Sequence, residues 1–220
     1  MELETHRLIL RDWHPSQDAR HALDIYGDAR VMAWIDEGAK DTSIRQLQGR
    51  LQRFLDIADR GSNGTRSWAV EQKDIGRVIG NVILADLPDI KDVRSDQADA
   101  MPKTVDPEGM STEFVEIGWH FRPASWGYGY ATEAALSIAQ YAFETLHLPI
   151  LLAVTDPQNR RSAGVMQRLG MRYGGTTTRY YGGKELFLYN LNAKDLAAAQ
   201  AKWHAELAFL KALDAIEQQA

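Results

Sequence analysis

The stretch FRPASWGYGYATEA, residues 121 to 134, decides the reading of this chain. Gly127 and Gly129 stand between an apolar run ending at Phe121 and an alanine-rich run beginning at Ala131. Glycines between a strand and a helix let the backbone approach a phosphate closely, and the unpaired N–H groups of the helix's first turn attract its charge. A dinucleotide loop needs a third glycine where Thr132 stands. A nucleotide P-loop ends in Gly-Lys-Ser/Thr, and this stretch has no lysine. On the loop alone, a plain strand-to-helix turn and a cradle for some other phosphate-bearing ligand both stay open.

Working outward, EFVEIGWHF (113–121) reads as a strand. Alternation sets Phe114, Glu116, Gly118 and His120 on one face and Val115, Ile117, Trp119 and Phe121 on the other. Glu116 is a carboxylate inside a strand, and Gly118 suggests a local bulge. After the loop, residues 131–147 read as a helix with Ala135, Ile138, Ala142 and Leu146 facing inward. ILLAVTD (150–156) is a buried-strand run, and NRRSAGVMQRLG (159–170) is a short helix closed by Gly170.

Upstream, RLILRDW (7–13) passes into a helix over 16–27, with Ser16 as N-cap and Gly27 as stop. Residues 43–60 carry Ile44, Leu47, Leu51, Phe54, Leu55 and Ala58 on one helical stripe. RSWAVEQK (66–73) and GRVIGNVILAD (76–86) form a hairpin across the turn at Asp74 to Gly76. Downstream, strands are expected around 171–178 and at ELFLYNL (185–191). Residues 86–112 form a polar, proline-punctuated, acid-leaning insertion, a solvated loop or a lure for a basic substrate. Residues 193–219 place Leu196, Ala199, Trp203, Leu207, Leu210 and Leu213 at helical spacing, which predicts core packing, with a homodimer contact or partner helix as the other reading. The expected organisation is one domain over 1–192 and a helical extension over 193–220.

Composition excludes several classes. With 220 residues, 45% apolar, the chain can bury one ordinary core. A net charge of −5 disfavours nucleic acid as a partner, and an amine is the easier substrate. The absence of cysteine removes disulfides, thiolate zinc sites and a cysteine nucleophile, and the six histidines have no metal-binding spacing, so no metal is expected. No apolar run is long enough to span a bilayer, and the N-terminus has no secretion-signal core. A cytoplasmic protein with no membrane partner is expected.

Taken in order, ETHRLILRDW (4–13), Asp18-Ala19, GRVIGNVIL (76–84), EIGWHF (116–121), WGYGYATEA (126–134), NRRSAGVMQRLGM (159–171) and FLYNL (187–191) resemble the Gcn5-related N-acetyltransferases (GNAT), and within them the ribosomal-protein alanine N-acetyltransferase type. The resemblance implies an α+β GNAT fold: a central, mostly antiparallel twisted sheet of about seven strands, splayed at the fourth and fifth, flanked by helices, with the C-terminal amphipathic helix added. It also implies acetyl-CoA as co-substrate. The backbone of Trp126, Gly127, Tyr128, Gly129, Tyr130, Ala131 and Thr132 would cradle its pyrophosphate, Trp119, His120 and Phe121 would lie along the pantetheine, and Asn159 would reach it. Arg160 and Arg161 are candidates for the adenosine 3′-phosphate.

Acetyl transfer to an amine needs a base for the ammonium proton, a donor to the developing oxyanion and an exit for the thiolate. The resemblance offers Glu116 as base, with His120 as the alternative, and Ser162 near the thiol. Trp34, Tyr180 and Tyr181 are candidate walls of the acceptor pocket. Two departures stand out. The Arg or Gln that opens the wider family's loop is Trp126, and the tyrosine that often protonates the thiolate has no counterpart in Ala163, Gly164, Val165 and Met166. The expected activity is direct transfer in a ternary complex to a protein N-terminus or small-molecule amine. A non-catalytic acyl-CoA sensor is the alternative, and a nucleotide-binding module is disfavoured by the loop.

Overall fold

The computed structural model describes residues 1–35, 38–60, 64–87 and 114–217, apart from the side chains of 57–60, 207 and 209–217. In chain order the elements are β1 (Leu3–Glu4), β2 (Leu8–Arg11), α1 (Pro15–Tyr26), α2 (Ala29–Met32), α3 (Ile44–Arg60), β3 (Arg66–Gln72), β4 (Arg77–Asp86), β5 (Val115–Phe121), α4 (Tyr130–Glu144), β6 (Ile150–Thr155), α5 (Arg160–Arg168), β7 (Arg172–Thr177), β8 (Leu186–Asn192) and α6 (Ala193–Glu217). The strands form one sheet in the order β1-β2-β3-β4-β5-β6-β8-β7. Every neighbouring pair is antiparallel except β5 and β6. This is the mixed α+β architecture expected, with one strand more. Leu3–Glu4 pairs with Ile9–Leu10, and two residues are too short for an apolar alternation to reveal them.

The sheet separates two apolar layers. On one face Val115, Ile117 and Phe121 of β5 and Leu151 and Ala153 of β6 pack with Ala135, Ile138 and Ala142 of α4 and with Leu196, Ala199 and Trp203 of α6. On the other face Ala69 and Val78 meet Ala22, Ile25 and Tyr26 of α1 and Leu47 and Leu51 of α3. A smaller cluster of Ile150, Leu152, Tyr180, Leu186 and Leu188 lies on the side of the sheet away from α4. A fully buried aliphatic side chain is worth roughly 1.5–3 kcal/mol, so these layers supply the main driving force for the fold.

Two local expectations are corrected. Helix α1 starts at Pro15, not after Ser16, because proline's fixed φ suits a first helical turn whose N–H is unpaired anyway. Its N-cap is His14, whose N–H donates to Asp18 Oδ2 at 2.7 Å, and Arg11 holds the same carboxylate at 2.8 Å. Gly118 makes no bulge: β4 and β5 keep one continuous register from Gly80↔Phe121 to Asp86↔Val115. The register shift falls between β3 and β4 at Val70/Glu71 instead. Strand β4 extends to Asp86, and residues 88–113, nearly all of the acidic insertion, lie outside the described residues. No helix among the described residues is long and apolar enough to cross a membrane.

Candidate active site

The site is built where β5 and β6 part. Their parallel pairing consists of one register pair, Glu116↔Leu152, while β4 pairs with β5 along its whole length. Beyond Glu116, the β6-facing edge of Gly118 to Phe121 therefore has no ladder partner among the described residues. The Val154 N–H donates to the Glu116 carboxylate across this opening. The glycine loop continues directly from β5: the N–H of Arg122 returns to the Ile79 carbonyl at 3.0 Å, a short 3₁₀ turn covers Pro123–Ser125, and Gly127 and Gly129 follow.

Gly127 (φ +88°) and Gly129 (φ +78°) both take the left-handed conformation that only glycine adopts readily. Gly129 is the N-cap of α4, and Glu133 N–H is the first of that helix to find its carbonyl, that of Gly129, at 3.0 Å. The amides of Tyr130, Ala131 and Thr132 thus open the helix without intrahelical partners, the arrangement that binds an anion. A Cβ added to Gly127 would meet nothing within 4 Å among the described residues, which leave open space there. Trp126 bonds to protein: its Nε1–H donates to the Phe121 carbonyl at 2.8 Å. The Arg161 guanidinium stacks on the same indole, 4.7 Å from the ring centroid. Tyr128 is exposed and stacks on Tyr130 with centroids 6.0 Å apart.

Helix α5 closes this end. Asn159 is its N-cap, accepting from Ser162 N–H at 3.2 Å, and Ser162 lies half-buried beside it. Arg168 Nε donates to the buried Thr132 hydroxyl at 3.0 Å and so joins α5 to the first turn of α4. Sequence reasoning missed this pair, and 36 residues of separation leave no local signal for it. Glu133 was missed likewise: it is buried and accepts from Thr5 Oγ1 at 2.6 Å and from Arg7 N and Nε at 2.9 and 2.7 Å, tying α4 to the N-terminal strands.

On the opposite face of β5, Glu116 meets the turn after β7. The Tyr181 hydroxyl donates to Glu116 Oε2. Burial pushes the Glu116 carboxyl up to about 7, even though the bonds from Tyr181 and the Val154 N–H pull it down. Burial and the neighbouring carboxylate push the Tyr181 hydroxyl well above the ordinary tyrosine value, so it stays a donor. Tyr181 has φ +49° and is followed by Gly182 and Gly183, both at positive φ. Tyr180 is buried beneath β6 and β8, and Trp34 stands exposed just past α2. Of the three expected pocket walls, Tyr181 is therefore the one bonded to the carboxylate. His120 turns toward α1: its ring is edge-on to Tyr26 at 5.7 Å, with Nδ1 3.3 Å from the Tyr26 hydroxyl. Among the described residues no group of three or more His, Asp or Glu could hold a metal.

This arrangement sets a loop suited to an anion and an elevated carboxyl on a parted pair of strands. Residues 7–172 match the family model described as an acetyltransferase (GNAT) domain. An uncharacterized N-acetyltransferase of Bacillus subtilis, YnaD, is 26% identical over 175 residues, covering 80% of this chain and 85% of that protein. The FsC-acetyl coenzyme A-N(2)-transacetylase of Aspergillus fumigatus is 35% identical over 81 residues, 37% of this chain and 34% of its own. Among solved structures, the ribosomal-protein-S5-alanine acetyltransferase of Vibrio fischeri superposes with a TM-score of 0.63 at 16% identity, over 89% of this chain and 98% of its own.

Proposed function

Because the chain belongs to the GNAT family of acetyltransferases, we propose that it moves the acetyl group of acetyl-CoA to a primary amine by direct attack in a ternary complex. The observation that carries this reading is the Glu116 carboxyl, pushed up to about 7, in the opening between β5 and β6. A primary ammonium is largely protonated at neutral pH, so attack requires a base, and a base titrating near 7 suits that task. The cradle fits the donor: left-handed glycines, open space above Gly127 and unpaired first-turn amides of α4 suit a pyrophosphate. A relative's name joins acetyl coenzyme A to this family, which agrees with that fit.

In the reaction, Glu116 takes a proton from the acceptor ammonium, and the free amine adds to the thioester carbonyl. The oxyanion that forms is met by a backbone N–H on the unpaired edge of β5 between Gly118 and Phe121. Collapse breaks the C–S bond and expels the thiolate, and the second proton on the former amine nitrogen passes through water to the sulfur, leaving the amide and the coenzyme A thiol. A thiol with an ordinary value of about 8.5 leaves without a strong acid, and Ser162 with a water relays the nitrogen's proton to it. Tyr181 fixes the carboxylate's orientation from the acceptor side. Asn159 and Arg161 hold the donor at the start of α5.

The fold shared with a ribosomal-protein acetyltransferase makes a protein N-terminal amine the first acceptor to try, with small-molecule amines as the second arm. The assay is thiol release from acetyl-CoA, with a mass increase of one acetyl group on the acceptor. Glu116→Gln is expected to abolish turnover while coenzyme A binding persists. Coenzyme A binding with no turnover in the wild-type protein, across peptides, polyamines and aminoglycosides, would convert the reading to an acyl-CoA sensor.

A further inference from the structure

The C-terminal helix reaches the donor loop. In α6, Leu196, Ala199 and Trp203 form one buried stripe, and Trp203 is only 6% exposed. An ideal Cβ on Gly129 would lie 2.4 Å from Cη2 of Trp203 and 3.3 Å from Cζ2 and Cζ3. The outer ring of the indole therefore fills the space that any other residue at 129 would occupy. That glycine is the N-cap of α4 and the second left-handed hinge of the loop. Helix α6 is also tied to α4 and β7: Gln200 donates to Gln140 of α4 at 3.0 Å, and Arg172 pairs with Asp195 at 2.7 Å. The Trp203 indole N–H is buried with no hydrogen-bond partner among the described residues. The ring packs in the apolar layer under α4.

We infer that Trp203 is a positioning residue of the donor site: it holds Gly129, and with it the first-turn amides of α4, in the geometry that receives the pyrophosphate. The inference rests on the proposed use of acetyl-CoA and adds to the site an element outside the matched span of 7–172. Glycine loses more backbone freedom on ordering than any other residue, so a loop with two of them binds better when a neighbour fixes it beforehand. A rigid indole against Gly129 removes that freedom.

The test is coenzyme A affinity, measured by calorimetry, in Trp203→Ala, Trp203→Phe, Gly129→Ala, the Trp203→Ala/Gly129→Ala double variant and Leu196→Ala. Phenylalanine keeps an aromatic ring in the core but is too short to reach Gly129, so it reports on the contact if the alanine variant fails to fold. The wild type binds coenzyme A, and both Trp203 variants weaken it by roughly tenfold, with saturated turnover changed less than twofold. Leu196→Ala removes a core contact from the same helix and lowers Tm while leaving affinity unchanged. The effects of Gly129→Ala and Trp203→Ala are non-additive because the two positions touch. Unchanged affinity in both Trp203 variants, equal weakening by Leu196→Ala, or strict additivity overturns the inference and leaves the acetyl-CoA reading intact. Failure of the wild type to bind coenzyme A overturns both.

Discussion

At the scale of single residues, Glu116 shows how a strand position becomes chemical. Its neighbours Val115 and Ile117 point into the α4 layer, so alternation turns its carboxyl to the other face, where Tyr181 O–H and Val154 N–H meet it. Burial disfavours the ionised form and these two donors favour it, and burial wins, leaving a value of about 7. A base must be ionised to act, so kcat/KM is expected to rise with pH through a limb near 7. Tyr181→Phe removes a donor that stabilises the carboxylate, so the limb moves to higher pH. Wild type and variant are compared on one acceptor, which cancels the amine's own ionisation. A limb that stays in place, or moves toward acid, would show that the Tyr181 hydroxyl does not steady the carboxylate.

At the scale of elements, Asn159 separates a cap from a ligand contact. Its side chain accepts from Ser162 N–H at the start of α5. Asn159→Ala is expected to lower stability by about 1 kcal/mol, the usual value of an N-cap. Asn159→Asp keeps the cap, so Tm stays close to wild type, but it loses the amide donors and adds charge, so coenzyme A affinity falls. If the aspartate variant binds as tightly as wild type, Asn159 only caps. This end of the molecule was legible in the sequence because its signals are local: glycines after a strand, and Asn ahead of a helix. The Glu116–Tyr181 contact was only half legible. Both residues could be nominated, but 65 positions separate them and nothing local says that one hydroxyl reaches one carboxylate. Helix α2, at four residues, is too short to show a period. At Gly118 the expected bulge failed for another reason: the opening comes from β6 leaving β5 after one pair, which needs no extra residue in β5.

At the scale of the whole molecule, the parted sheet ties function to stability. The fold retains a carboxyl whose folded value of about 7 lies above its ordinary 4.5. Below about 4.5 Glu116 is protonated in both folded and unfolded chains, and above about 7 it is ionised in both. Between these limits the folded protein keeps a proton that the unfolded chain releases, so stability falls as pH rises through the window. Asp18 acts with the opposite sign: burial alone would raise it, but hydrogen bonds from Arg11 and the His14 N–H hold it below its ordinary value. Groups like Asp18 titrate equally in wild type and in Glu116→Gln, so the difference between the two proteins isolates Glu116. That difference is expected to be flat below about pH 4.5, to grow in favour of Glu116→Gln up to about pH 7, and to level off above it. Allowing for solvent at the open side of the carboxyl, its full size is about 1–2 kcal/mol, a few degrees in Tm for a chain of this length. Thermal melts of both proteins from pH 4 to 8 measure it directly. A wild type that gains on the glutamine variant as pH rises would mean that Glu116 is stabilised as a carboxylate by the fold, and would take the base role away from it.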